Sequence, residues 1–201
     1  MDLVRAYILG IIYSDGCLSY DKNSGSYRIT ISLKDLEIIK ILNKLMTPRK
    51  KIYERNGCYS IVSTNETDIE FLREMGMGER KSASLEYPEI CKDLESHFVR
   101  GFFDGDGSVY KSVTKNRSAH YTYVYANFTC GSYDFIIDLR RALTGEGIYT
   151  TLQKDDRSKN GAYQLHMKNK NHVRKFADYI YQDSSLHMSR KYDVFADNDI
   201  V

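Results

Sequence analysis

Hydrophobic residues follow two rhythms along the chain, and the same series of rhythms occurs twice. Residues 8–13 (ILGIIY) and 98–103 (FVRGFF) are continuous apolar runs that read as helices. After each comes a stretch with a period of two. In 27–33, Ile29, Ile31 and Leu33 alternate with Arg28, Thr30 and Ser32, whereas 121–128 carries tyrosine or apolar residues on both faces and leaves its register open. Helical spacing returns in LEIIKILNKLM (36–46) and DFIIDLRRAL (134–143). Asn56-Gly57 and Asn160-Gly161 then mark tight type I′ hairpin turns, and in 163–168 Leu165 and Met167 alternate with Gln164, His166 and Lys168. Helical patterns close each half, DIEFLREMG (68–76) and HVRKFADYIY (172–181). Each half thus reads helix, hairpin, helix, hairpin, helix, with longer hairpins in the second.

The pattern predicts an α+β fold built by duplication of an αββαββα unit, divided into residues 1–94 and 95–201. Pro88 punctuates a junction near residues 89–97, and no Gly/Ser-rich linker separates the halves, so they are expected to pack tightly.

Both apolar runs end in acid: Ser14-Asp15-Gly16 in the first, Asp104-Gly105-Asp106-Gly107 in the second, with Asp15 and Asp106 ninety-one residues apart. A helix C-terminus is negative and disfavours carboxylates. Gly16 and Gly107 suit a left-handed position after the last turn. Gly10 and Gly101 each cost a helix about 1 kcal/mol relative to alanine. Close packing of two helices along these glycines would recover that cost and bring Asp15 and Asp106 together. Two carboxylates meeting at two negative helix ends call for bound cations, and a hard ion such as Mg²⁺ fits oxygen ligands.

Charge sharpens the picture. The net charge is only +2, but the predicted hairpins 20–34, 47–61, 108–129 and 150–170 carry positive excesses of 2, 3, 3 and 3, leaving −9 for the rest. Basic strands with acidic helices are the footprint of a sheet laid on a polyanion. The side chains expected to face it are Arg28, Thr30, Ser32 and Lys34; Arg49, Lys50, Lys51, Arg55 and Ser60; Lys111, Lys115 and Arg117; and Lys154, Arg157, Lys159, Gln164, His166, Lys168 and Lys170. At 42% hydrophobic and 28% charged residues the composition is that of an ordinary globular protein. With no membrane-length apolar run and no leader pattern, an intracellular location is expected. Cys17, Cys58, Cys91 and Cys130 are scattered and the five histidines lack metal-ligand spacing, which argues against zinc and against a disulfide framework.

The stretches ILGIIYSDG (8–16) and VRGFFDGDG (99–107) resemble the two motifs of single-chain LAGLIDADG homing endonucleases, and the repeat order extends the resemblance over essentially the whole chain. The resemblance implies motif helices at a central pseudo-twofold interface and two saddle-shaped antiparallel sheets straddling the major groove of a long, asymmetric double-stranded DNA site. It implies a monomer that cuts both strands across the minor groove, leaving short 3′ overhangs, in the service of intron homing. Asp15 and Asp106 would bind metal with the carbonyls of Ser14 and Gly105. Mg²⁺ is the expected cofactor, with Mn²⁺ or Ca²⁺ as substitutes for binding. Lys81 and Lys191, placed before the third helix of each half, match the family's active-site lysine in position. Tyr13 departs from the usual acid that Asp104 keeps, and His97 and Arg100 are expected at the surface or the interface.

Two other functions fit the same scaffold: an RNA maturase that assists intron folding, and a sequence-specific DNA-binding protein that no longer cuts. The chain lacks an N-terminal cysteine and a terminal His-Asn, so an intein-embedded nuclease is not expected.

Overall fold

The computed structural model describes residues 1–78, 85–116, 119–155 and 161–201. In the first half, helix α1 (Leu3–Asp15) leads into strands β1 (Gly16–Asp21) and β2 (Ser26–Leu33), then α2 (Leu36–Met46), β3 (Tyr53–Arg55), β4 (Cys58–Ser63) and α3 (Glu66–Glu74). The second half repeats this as α4 (Lys92–Asp106), β5 (Gly107–Asn116), β6 (Ala119–Cys130), α5 (Tyr133–Gly145), β7 (Thr151–Lys154), β8 (Tyr163–Met167) and α6 (Lys170–Tyr181), and adds α7 (Ser189–Ala196). Each half forms one four-stranded antiparallel sheet, ordered β1-β2-β4-β3 and β5-β6-β8-β7. The α+β duplication expected from the pattern is therefore the fold.

Local chemistry explains the elements. Asp2, Asp35, Asn65, Ser132 and Asn169 each accept a backbone N–H at the start of a helix. Asn56 and Gly57 both have positive φ, 51° and 73°, which makes the β3–β4 connection the tight turn that Asn-Gly favours.

Helices α1 and α4 pack against each other more extensively than any other pair of helices. A Cβ on Gly10 would lie 2.6 Å from the Phe102 nitrogen, and one on Gly101 would lie 3.0 Å from the Ile11 nitrogen. Each glycine therefore admits the opposite backbone, and no larger residue fits at this crossing. The apolar core is continuous across it. Isoleucine and leucine of α1, β2 and α2 fill the first half, and Phe98, Phe102, Phe103, Phe128, Phe135, Phe176 and Phe195 fill the second.

Gly16 and Gly107 depart from the left-handed expectation. Their φ values are −84° and −77°, ordinary extended backbone, because each helix runs straight into a strand without a turn. The glycines are needed for space instead: a Cβ there would lie 2.5 Å from the carbonyl of Ile12 or Phe103.

Candidate functional site

Asp15 and Asp106 are the last residues of α1 and α4, so the crossing of those helices brings their backbones together. A side chain on Gly105 would collide with the Asp15 carboxylate and the Ser14 side chain, which places the Asp15 carboxylate against the residue before Asp106. Asp106 is exposed and Asp15 half-buried. The Ser14 hydroxyl turns back into its own helix and donates to the Ile11 carbonyl at 3.0 Å.

Among the described residues no group of three or more His, Cys, Asp or Glu side chains gathers as a metal cage. The chain offers two carboxylates and helix-end carbonyls. That set suits a hard divalent ion that takes its other ligands from water and phosphate, as Mg²⁺ does.

Lys191 approaches from α7. Burial pushes its ammonium down to about 8, against the charge of Asp104, with Arg190 adding to the fall and Asp15 and Asp106 opposing it. It lies in the first turn of a fourth helix of the second half, after α6 rather than before the third helix, and only 4% of it is exposed. Lys81 lies outside the described residues, after α3 in sequence.

The buried face of α4 carries a polar cluster that patterning missed. Asp104 is fully buried, and its Oδ2 accepts from the Tyr7 hydroxyl of α1 and from the Met188 backbone N–H, both at 2.8 Å. Burial raises its carboxyl to about 6, against the pull of those two bonds and of Lys191 and Arg100. Arg100, stacked over Tyr7, also donates to the imidazole Nδ1 of His97 at 2.8 Å. Both residues are buried, so of the two expected places it is not the surface. Burial, then the Arg100 charge, lowers the His97 pKa, as befits a ring accepting from a guanidinium. At the position equivalent to Asp104, the Tyr13 hydroxyl donates to the Met75 carbonyl. Both side chains tie a motif helix to the chain that follows the third helix of its own half. Apolar runs that contain a charged residue were the only available signal.

Register settles the faces of the sheets. In the first, Ile29, Ile31 and Leu33 are buried, so Arg28, Thr30, Ser32 and, across the ladder, Ser60 and Arg55 share the outward face. Lys34 follows β2 and is exposed, and Arg49, Lys50 and Lys51 occupy the exposed loop before β3. Lys50 is turned to the Thr64 hydroxyl at 3.1 Å, and Arg28 pairs with Asp21 at 3.4 Å.

In the second sheet Val124, Ala126 and Phe128 are buried, which resolves the open register of 121–128. Tyr121, Tyr123, Tyr125, Asn127 and Thr129 face outward, opposite Thr114, Ser112, Tyr110, Ser108 and Gln164, with His166 opposite Asn127. Lys111 pairs with Val124 and Lys154 with Tyr163, so both are exposed on the other face of the sheet. The open alternation of 121–128 left Lys111 unoriented, while Lys154 takes the same face as Leu152, opposite Leu165 of β8. Lys168 is exposed just after β8, and Lys170 opens α6 instead of joining a strand. Arg117, Arg157 and Lys159, and the side chain of Lys115, lie outside what is described.

The comparisons bear on both halves. Residues 4–94 match the model of the WhiA LAGLIDADG-like domain, and residues 93–181 that of the LAGLIDADG-like domain. Structural similarity is high and sequence identity low. A DNA-bound structure of I-SmaMI with calcium ions is 14% identical, covers 96% of this chain and 88% of its own, and has a TM-score of 0.65. I-AabMI bound to uncleaved DNA is 14% identical, with 96% and 87% coverage and a TM-score of 0.64. A probable translation initiation factor IF-2 of Methanocaldococcus jannaschii is 25% identical over 182 residues, 85% of this chain but only 14% of that protein's length. No helix among the described residues is long and apolar enough to cross a membrane. With one matching domain in each half, meeting at the paired motif helices, the chain belongs to the LAGLIDADG family and has the fold of its single-chain homing endonucleases.

Proposed function

We propose that this protein is a site-specific double-strand DNA endonuclease, acting as a pseudo-twofold monomer with halves 1–94 and 95–201. The observation that carries the reading is the crossing of α1 and α4, whose last residues are Asp15 and Asp106, which sets the Asp15 carboxylate against Gly105 with each acid at a negative helix end. Such an arrangement is costly without cations.

In this reading Asp15 and Asp106 hold divalent ions, Mg²⁺ above all, with help from the backbone of Ser14 and Gly105. The ions, when bound, activate a water and stabilise the leaving oxygen of the phosphodiester. The chain's own contribution is placement. Gly10 and Gly101 let the helices approach, Gly105 leaves room for the Asp15 carboxylate, and the outward sheet faces seat the duplex in its major groove. The minor groove then lies over the paired acids, and offset cuts in the two strands leave short 3′ overhangs. The DNA-bound state of I-SmaMI and I-AabMI supports a duplex as the partner.

Selecting cleaved sites from a randomised duplex library with Mg²⁺ tests this. A wild-type chain that enriches no cut site, while Asp15→Asn and Asp106→Asn variants bind DNA as it does, would refute cleavage. That result would favour a second reading, a DNA-binding protein on the same scaffold. The match of residues 4–94 to a WhiA LAGLIDADG-like domain speaks for it.

A further inference from the structure

The segment from α6 into α7 is fastened to α4 by buried charged groups. Arg100 donates to the Leu186 carbonyl at 2.9 Å and the Ile180 carbonyl at 2.7 Å, and Asp104 accepts from the Met188 N–H at 2.8 Å. Lys191 completes the clamp. Its Nζ donates to the carbonyls of Phe103 at 2.6 Å, Asp104 at 2.7 Å and Gly107 at 2.5 Å, with the Gly105 carbonyl farther off at 3.4 Å.

An ammonium has three protons, and the three short bonds use all of them. The acceptors surround the C-terminus of α4, where carbonyls lack partners within the helix and the dipole is negative. The strand β5 departs at once through Gly107, whose backbone N–H reaches the Phe103 carbonyl, and Lys191 supplies the remaining protons to the carbonyls around this helix end.

We propose that Lys191 is a positioning residue whose ammonium is the resident cation of the α4 terminus. It fixes the backbone that carries Asp106 before DNA or a divalent ion arrives. With its protons committed to the chain and 4% of its surface exposed, it does not reach a scissile phosphate. Its proximity to the Gly105 carbonyl also makes that oxygen a poorer metal ligand than its counterpart on Ser14. This last consequence and the Ca²⁺ midpoint below rest on the endonuclease reading; the clamp itself does not.

Two measurements on the full chain test the assignment. The first is acylation of native wild type with an N-hydroxysuccinimide ester, read by mass spectrometry. Lys191 should react at least about 10-fold more slowly than exposed Lys168, because only 4% of it is exposed and it must open locally to react. Equal rates would overturn the proposal. The second compares wild type with Lys191→Met, which keeps the aliphatic stem and removes the ammonium from the carbonyls of Phe103, Asp104 and Gly107. In chelator the variant should melt about 5–10 °C lower, the scale expected for loss of several buried bonds in a chain of this size. Its midpoint for stabilisation by Ca²⁺ should also shift at least threefold, because the backbone bearing Asp106 is no longer fixed. A variant that keeps both the melting temperature and the Ca²⁺ midpoint, and loses only cleavage, would make Lys191 a substrate contact instead. Failure of the endonuclease reading shows separately, as a wild type that cuts nothing, and changes neither the acylation rates nor the melting temperature in chelator.

Discussion

The outward face of the first sheet presents Arg28, Arg55, Thr30, Ser32 and Ser60, while the same face of the second presents Tyr110, Tyr121, Tyr123, Tyr125, Asn127 and Gln164. Strand order and register are shared, so beyond the longer β5 and β6 the difference is one of chemistry. Guanidinium groups act at a distance and release counterions from DNA. Phenol and amide groups act only on contact, by shape and hydrogen bonds. In the proposed function, the described residues suit the first face to attracting a duplex and the second to inspecting it, with Lys111 and Lys154 of the second half on the other side of its sheet and Lys168 just after β8. Such a protein suits an asymmetric target better than a palindrome.

The strongest test asks what the halves still share. Asp15→Asn and Asp106→Asn should each lower cleavage by at least about 10³-fold, on the scale of losing an electrostatic group from a phosphoryl-transfer site. Binding measured in Ca²⁺ should change far less. If one variant keeps wild-type cleavage, the two helix ends are not equivalent and the pseudo-symmetric reading breaks.

The next largest contrast lies at the equivalent positions Tyr13 and Asp104. The Asp104 carboxyl titrates near 6 in the folded chain against 3.8 in the unfolded one, so the folded state binds more protons in that interval. The contribution of Asp104 to stability is then greatest below about pH 4 and falls as pH rises through 6, by about 3 kcal/mol for a shift of this size. Asp104→Asn should flatten unfolding free energy measured from pH 4 to 6.5. Tyr13→Phe loses one bond to the Met75 carbonyl, at a cost of about 1 kcal/mol that does not vary over this range. An unchanged slope in Asp104→Asn would remove Asp104 as its source.

What the sequence made legible follows the same division. The repeat, the paired acids and the close-packing glycines could all be read, because each is a local rule broken twice at matching places. Strand 27–33 could be oriented because polar and apolar residues alternate cleanly in it. Strand 121–128 could not, since tyrosine is at home on either face of a sheet, and the misplacement of Lys111 follows from that gap, whereas Lys154 follows Leu152 on the face set by β8. The clamp of Arg100, Asp104 and Lys191 was hidden for another reason. Its acceptors are mostly backbone carbonyls and leave no pattern of residue types.

A smaller effect separates attraction from inspection. Arg28→Ala should reduce the dependence of log K on log salt by about 1, if its guanidinium neutralises one phosphate. Arg28 already pairs with Asp21 at 3.4 Å, and both side chains keep substantial exposure, so the pair itself adds little stability. Asp21→Asn should therefore tighten binding modestly at low salt while leaving the fold intact. Fluorescence anisotropy across a salt series measures both. An unaltered slope for Arg28→Ala would show that this face does not lie on the backbone.

The smallest expected effect falls on the tyrosines and is the most discriminating. Tyr123 and Tyr125 lie nearly parallel, 13° apart with centroids 6.3 Å apart, and Tyr110 crosses Tyr125 at 5.5 Å, so the rings hold each other in place. Replacing Tyr125 by Phe keeps that packing and removes one hydroxyl from the outward face. The loss in affinity should be about 1 kcal/mol or less, the usual net value of one neutral hydrogen bond. The salt slope should stay at its wild-type value, because no charge is removed. Base preference should relax only in the half of the target that the second sheet covers, which selection from a randomised duplex library would read position by position. A Tyr125→Phe chain whose salt slope falls as far as that of Arg28→Ala, or whose preference relaxes under the first sheet, would mean that the two faces do not divide the work between them.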